Sequence, residues 1–203
     1  MSRTVRIMLA AACALAAITT AITTATTAAA AGPTTADAGI DATLIGGDSI
    51  LMPQGRCVIG FSGRDAAGVY IITSAPCYPG PGIAGRVRAP AGSTPSPYVR
   101  GPGGALLTVV GTTQAPVGAR VCMSGPVGGY RCGVLQAKNQ TVNFPGGVVT
   151  GLTRTSVCAY PGENGAPFVT VSGANAQGQG VLVGGSCSGG TGVSYFMPLP
   201  GLR

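Results

Sequence analysis

The chain has 203 residues, of which 45% are hydrophobic and 8% charged, with a formal net charge of +7 and no histidine or tryptophan. This length gives room for one domain with a hydrophobic core after removal of a leader. The lack of histidine excludes the commonest general base and metal ligand. The basic residues are scattered and few aromatic residues are available to stack on bases, so we expect no nucleic-acid partner.

Residues 1–31 have the pattern of a secretory signal peptide. Arg3 and Arg6 form a charged start, residues 7–18 an apolar run, and the small residues that follow offer cleavage sites. An uncleaved anchor is the alternative, but the apolar run is short and ends in Thr/Ala repeats. Residues 32–42 read as a low-complexity connector. No later apolar run reaches the length of a membrane span, so we expect a secreted or cell-envelope protein.

From about residue 40 the sequence consists of short apolar or alternating runs bounded by Gly, Pro, Asn or Ser. We predict strands at 56–61, 69–74, 106–111, 119–123, 131–138, 148–156, 167–172, 180–184 and 193–197. Residues 79–104 are rich in Pro and Gly, so we expect mostly loop there, with an edge strand at 84–89. This spacing predicts an all-β sandwich or barrel.

The cysteines indicate disulfides rather than a metal site. Cys13 lies in the leader, and an even number remains: Cys57, Cys77, Cys122, Cys132, Cys158 and Cys187. Six cysteines allow 15 pairings, and the sequence does not choose among them. A zinc site is disfavoured because the chain has neither C-x-x-C spacing nor histidine. We therefore predict no metal and no cofactor.

Residues 158–167, C-A-Y-P-G-E-N-G-A-P, have the frame of a serine-protease nucleophile loop, C-x-x-x-G-D-S-G-G-P. Asn164 stands at the serine position. In this frame the backbone N–H groups of Gly162 and Asn164 would take the place of an oxyanion hole. Asparagine has no hydroxyl, and its amide is not a nucleophile near neutral pH.

Other segments extend the likeness. Residues 45–47 (I-G-G) and 56–61 (R-C-V-I-G-F) resemble an opening strand, 73–77 (T-S-A-P-C) stand where T-A-G-H-C is usual, and 119–125 with 131–134 resemble a V-C-R-S-G … C-G-T hairpin. Residues 183–187 (V-G-G-S-C) resemble the strand that lines a substrate groove, through Val183, Gly184 and Gly185. Over about residues 43–199 the chain thus resembles bacterial chymotrypsin-like proteases of the streptogrisin and alpha-lytic protease type.

The resemblance implies two packed six-stranded antiparallel β-barrels, at about 43–112 and 113–203 of a domain spanning 43–203. It also implies three disulfides, Cys57–Cys77, Cys122–Cys132 and Cys158–Cys187. Pro76 stands at the histidine position and Asn164 at the serine position, and residues 78–121 contain no Asp or Glu. All three triad side chains are therefore absent from their expected places.

We therefore predict a secreted, monomeric, serine-protease-like protein that is not an enzyme and that binds a peptide or protein in the former groove without cleaving it. Two alternatives remain open. One is an extracellular scaffold whose groove is filled, and the other is a serine-type endopeptidase or hydrolase with an unrecognised catalytic group. Val183, in place of the usual serine, indicates a narrowed pocket.

Two further expectations concern the loop. Glu163 replaces the family's aspartate while Met123 stands at the position of its arginine partner, so Glu163 needs another partner, Arg120 or Arg131. Asn164-Gly165 is a dipeptide that deamidates when its loop is flexible, and we interpret such a change as ageing chemistry.

Overall fold

Fourteen β-strands make up most of residues 42–199, the part of the chain that the computed structural model describes. The predicted signal peptide and nearly all of the connector lie outside these residues. The strands are β1 (Thr43–Gly46), β2 (Ser49–Met52), β3 (Gly55–Val58), β4 (Phe61–Asp65), β5 (Gly68–Ser74), β6 (Ala84–Arg88) and β7 (Thr94–Arg100). They continue with β8 (Leu106–Gly111), β9 (Arg120–Gly125), β10 (Gly129–Phe144), β11 (Gly147–Thr155), β12 (Pro167–Ser172), β13 (Asn175–Ser188) and β14 (Thr191–Pro198).

The one complete helical element in these residues is a 3-10 turn, Pro102–Gly104. Accordingly, we find there no helix with the length and apolar character needed to cross a bilayer. The all-β prediction is confirmed.

Strands form where apolar and small residues alternate with more exposed ones. In β14, Gly192, Ser194 and Phe196 are buried, whereas Val193 and Tyr195 are only half-buried. Because the side chains alternate with a period of two residues, one face of the strand points towards the core. β9 differs because five of its six residues are buried, as expected for a strand with neighbours on both edges.

The second half of the chain closes into a ring. Consecutive antiparallel pairings link β13, β12, β9, β10, β11 and β14, and β14 pairs back with β13. The first half is more open: β2–β3 and β4–β5–β6 form small sheets of their own, whereas β1, β7 and β8 extend the larger sheet. Two of its pairings, β1–β7 and β8–β13, are parallel.

The expectation of mostly loop at 79–104 is wrong for its second part, because β7 runs through Thr94–Arg100. Its prolines, Pro95 and Pro97, disfavour a strand because proline cannot donate to a ladder. The strand forms nonetheless because its antiparallel pairing with β8 uses the three residues that follow, Tyr98 to Arg100.

Three hydrophobic clusters fill the interior. One lies inside the ring, where the Phe168 and Phe196 rings stack with centres 4.7 Å apart. A second lies in the first half around Leu44, Ile59 and Ile71. The third joins strands of both halves: Val99, Leu107, Cys122, Val169 and Ala176. The halves therefore share buried surface besides backbone pairing.

Three disulfides are present, Cys57–Cys77, Cys122–Cys132 and Cys158–Cys187. These are the pairings that the family resemblance implies. The last of them fastens the loop before β12 to the far end of β13.

Candidate functional site

The loop 158–167 has a conformation that its glycines make possible. Gly162 and Gly165 have φ values of +87° and +94°, in the left-handed region that favours glycine. Gly165 is also buried, and a Cβ there would collide with the Thr73 hydroxyl and lie 2.9 Å from the Val58 carbonyl oxygen. The glycine after Asn164 is thus required by both backbone angle and space.

Along residues 162–165 of the loop, every second backbone N–H group donates to a backbone carbonyl. The N–H of Glu163 donates to the Tyr160 carbonyl, and that of Gly165 donates to the Leu182 carbonyl at 2.8 Å. Within the described part of the chain, the N–H groups of Gly162 and Asn164 donate to no backbone acceptor. They stay available to an acceptor from a ligand, and their role as an oxyanion-hole-like pair stays a prediction.

The structure brings the predicted histidine and serine positions together. The Asn164 side-chain amide donates to the carbonyl of Ala75, 3.1 Å away, directly before Pro76. Pro76 is exposed and follows a cis peptide bond. A proline ring and a carboxamide carry no group that takes a proton near neutral pH. The assignment of these two residues as altered triad positions stays a prediction.

Hydroxyl groups close to Pro76 are engaged elsewhere. Thr73 and Ser74 are fully buried, and their hydroxyls donate to the carbonyls of Val58, at 2.8 Å, and Leu182, at 2.6 Å. These side chains join β5 to β3 and β13. They fix the two sides of the site relative to each other rather than facing a ligand.

Arg131 is the charge partner of Glu163. The Glu163 carboxylate is fully buried and forms an ion pair with the Arg131 guanidinium, which is 15% exposed. The carboxylate also accepts hydrogen bonds from the backbone N–H groups of Gly128, at 2.7 Å, and Tyr160, at 2.9 Å. Arg131 in turn donates from Nε to the Cys158 carbonyl at 2.6 Å. This network ties the loop to the β9–β10 hairpin.

A cleft of about 460 Å³ opens beside the loop. Its walls include Asn164 and the three β13 residues singled out from the sequence, Val183, Gly184 and Gly185. The cleft is open, so the side chains of residues 42–199 do not fill it. Its lining contains no charged side chain among the described residues.

Two aromatic residues of the cleft were not identified from the sequence. Phe144, at the end of β10, packs against Tyr195 in a T-shaped arrangement, with ring centres 6.4 Å apart. A Cβ on Gly184 would lie 2.6 Å from the Phe144 ring, so the glycine admits this ring. The N-F-P-G-G sequence at 143–147 indicates the turn of a hairpin, but it does not indicate that this turn lies beside the cleft.

The second edge of β13 is open along the cleft. β13 pairs with β14 through Gly184–Ser188, and with β12 only as far as Val181. The next residue, Leu182, is hydrogen-bonded to the loop instead, because its N–H donates to the Ala166 carbonyl at 2.9 Å. Among the described strands, none pairs with the other edge of residues 183–185. An extended segment in the cleft would therefore meet backbone groups without strand partners.

The ring of six antiparallel strands, the three disulfides and the cleft between loop and β13 define a protein of the chymotrypsin fold. Thermobifida fusca protease A has a TM-score of 0.70 and 36% sequence identity over 79% of this chain and 94% of its own. Streptogrisin-C of Streptomyces griseus is 38% identical over 183 residues, 78% of this chain and 39% of its own length. Serine protease 2 of Streptomyces fradiae is 30% identical over 73% of this chain and 99% of its own.

The chain belongs to the streptogrisin-like family of chymotrypsin-fold bacterial serine proteases. It spans about two-fifths of the length of streptogrisin-C. No family model matches the sequence.

These relatives correct one prediction. The expectation that the chain is not an enzyme is wrong, because the proteins it matches are named serine proteases. The expectation took the absence of three side chains as the absence of activity. The residues at positions 76 and 164 exclude a histidine and a serine there, but they do not exclude catalysis by other groups of the protein.

Proposed function

We propose that this protein binds an extended peptide segment in the cleft between the loop 158–167 and β13. The open edge of β13 at residues 183–185 carries the proposal, because its backbone groups can pair with a peptide as a further strand. The N–H group of Asn164, a residue of the cleft lining, supplies one more donor, because it has no backbone acceptor among the described residues. A cleft of about 460 Å³ has the size of known ligand sites.

The lining favours an uncharged, apolar side chain on the bound peptide. Phe144, Tyr160 and Tyr195 give the cleft three aromatic walls, and none of the described residues that line it is charged. A charged side chain would lose hydration there without gaining an ionic partner. We therefore expect retained peptides to be enriched in aliphatic or aromatic residues.

Peptide-bond hydrolysis is the second candidate function, favoured by the names of the relatives. Its proton transfers would use groups other than the side chains of Pro76 and Asn164. Hydroxyl-bearing residues that line the cleft are Tyr160, Ser186 and Tyr195. The chain contains no histidine to serve as their base.

A peptide library tests both candidates. The purified protein is incubated with random-sequence peptides, and mass spectrometry reads the peptides that stay bound and any new peptide termini. Ser186→Trp should block the cleft, whereas Ser188→Trp, an exposed residue of the same strand outside the lining, is the matched control. Loss of retained peptides in the first variant alone supports binding in the cleft.

Other outcomes decide between the candidates. New termini that persist in Asn164→Ala would support hydrolysis by groups elsewhere in the protein. Neither retention nor new termini, or equal retention by both serine variants, would contradict peptide binding at this site.

We further propose that the mature protein begins near residue 32, acts outside the cytoplasm and folds as one domain from residue 43 to 203. The apolar run at 7–18 and the three disulfides support export, since disulfides persist in oxidising compartments. N-terminal sequencing of protein exported from a bacterial host should find a start close to residue 32. Recovery of an intact residue 1 would refute the cleavage.

A further inference from the structure

A second cavity, of about 520 Å³, lies away from the cleft, against the half-buried face of the β4–β5–β6 sheet. Ile72 of β5 lines it, while its neighbour Ile71 points into the core. The apolar walls are formed by Phe61, Ile72, Pro97, Tyr98, Val109 and Leu199. A space of this size and lining suits the hydrocarbon part of a small ligand.

A single cationic group stands at the edge of these apolar walls. Arg86 of β6 lies opposite Ile72 in register and lines the same cavity. Its guanidinium carbon lies 4.7 Å from the centre of the Tyr70 ring. Stacking on a ring orients the planar guanidinium and leaves its in-plane N–H groups free to donate.

Arg86 forms no ion pair in the described part of the chain, although its charge lies near enough to Asp65 to help lower the pKa of that carboxyl. The acidic residues in this part of the chain are Asp48, Asp65 and Glu163. Each already forms an ion pair with another arginine: Asp65 with Arg88, Asp48 with Arg100 and Glu163 with Arg131. Arg86 is therefore available to an anion from outside.

Two serines that line the cavity are already used by the backbone. The hydroxyls of Ser62 and Ser96 donate to the Leu44 carbonyl at 3.1 and 2.7 Å. They hold β1 beside β4 and β7 and have no proton left for a ligand. Apart from the hydroxyl-bearing side chains of Tyr98 and Thr112, a ligand here would thus meet apolar walls and the guanidinium.

From this arrangement we propose that the cavity binds a small amphipathic carboxylate, a free medium-chain aliphatic acid. The hydrocarbon chain lies against Phe61, Ile72 and Val109. The carboxylate accepts two parallel hydrogen bonds from the Arg86 guanidinium, the geometry for which arginine is suited. This site is separate from the cleft and does not depend on the function proposed for it.

Calorimetric titration of the purified protein with octanoate tests the site, with octanamide as the uncharged analogue of equal length. We expect saturable binding of octanoate and at least about 10-fold weaker binding of octanamide, which equals ~1.4 kcal/mol. Arg86→Gln should weaken octanoate binding by a similar factor. Arg64→Gln is the matched control, because Arg64 is exposed on the same small sheet but does not line the cavity.

Two results would overturn the proposal. One is octanoate binding that is equally strong in Arg86→Gln and wild type, or absent in both. The other is binding that survives Arg86→Gln but is lost in Phe144→Ala, since Phe144 lines the cleft and not this cavity. That second pattern would place the ligand in the peptide cleft.

Discussion

At the scale of single residues, the Arg131–Glu163 ion pair is the strongest candidate for an energetic anchor of the loop. Arg131→Gln would leave a fully buried carboxylate with backbone donors but no counter-charge. We expect a loss of about 3–5 kcal/mol in the free energy of unfolding, the usual cost of breaking a buried pair. Urea denaturation at pH 7 measures it.

An exposed ion pair supplies the control. Arg88 donates two hydrogen bonds to Asp65 and thereby lowers the pKa of that carboxyl below its ordinary value. The Arg88 and Asp65 side chains are 49% and 32% exposed, against 15% and 0% for Arg131 and Glu163, so Arg88→Gln should change stability far less. Equal effects of the two arginine variants would contradict the role given to Arg131.

Also at this scale, the structure revises the expectation for Asn164-Gly165. Deamidation requires the Gly165 backbone nitrogen to attack the Asn164 side chain. That nitrogen donates to the Leu182 carbonyl, and Gly165 is buried. We expect no gain of one dalton at this peptide in the folded protein, and a gain after unfolding in urea. Intact and peptide mass spectrometry after incubation at pH 8 would show an equal gain in both states if the loop were mobile.

At the scale of the element, the tip of the β10–β11 hairpin delivers Phe144 to the cleft, at the opposite end of β10 from Arg131, which pairs with Glu163 of the loop. Phe144→Ala removes one aromatic wall and should shift retained peptides towards larger apolar side chains. Peptide retention read by mass spectrometry measures the shift. Val148→Ala, at a 66% exposed residue of the same hairpin outside the cleft lining, is the control. An unchanged preference in Phe144→Ala would show that this ring does not contact the peptide.

Strands bounded by strong turn signals were predictable from the sequence alone. β8 and β12 match the predicted ranges 106–111 and 167–172. β13 was predicted at 180–184 but runs over Asn175–Ser188, because its many glycines have low strand propensity and it depends on β8, β12 and β14 for partners. A local pattern cannot report such distant partners.

The candidate site, too, was only partly predictable from the sequence. The loop 158–167 and residues 183–185 were found because their motifs are contiguous in sequence. Phe144 and Tyr195 were missed because a hairpin tip and a separate strand meet only in the folded chain. The choice of Arg131 for Glu163 likewise depended on strand register, which places Arg131 opposite Met123, the position of the family's arginine.

At the scale of the whole molecule, the three disulfides should dominate stability. They close chain segments of 20, 10 and 29 residues, and the loop-entropy model gives each roughly 3 kcal/mol. Replacing both cysteines of a bridge by alanine should therefore lower the melting temperature in every case, most for Cys158/Cys187 and least for Cys122/Cys132. Calorimetry of the three double variants measures the decrease. A melting temperature unchanged by full reduction would contradict this expectation.

The parallel seam between β8 and β13 has a further consequence. It joins the two halves by backbone pairing, with the Thr108 N–H donating to the Ala174 carbonyl at 2.9 Å, and no disulfide crosses the link at 112–119. A chain cut between Pro116 and Val117 should therefore form two complementary fragments that co-elute in gel filtration. The residues that line the cleft all belong to the second fragment, whereas the Ala75 carbonyl that holds the Asn164 amide belongs to the first. This contact would therefore form only when the two fragments reassemble.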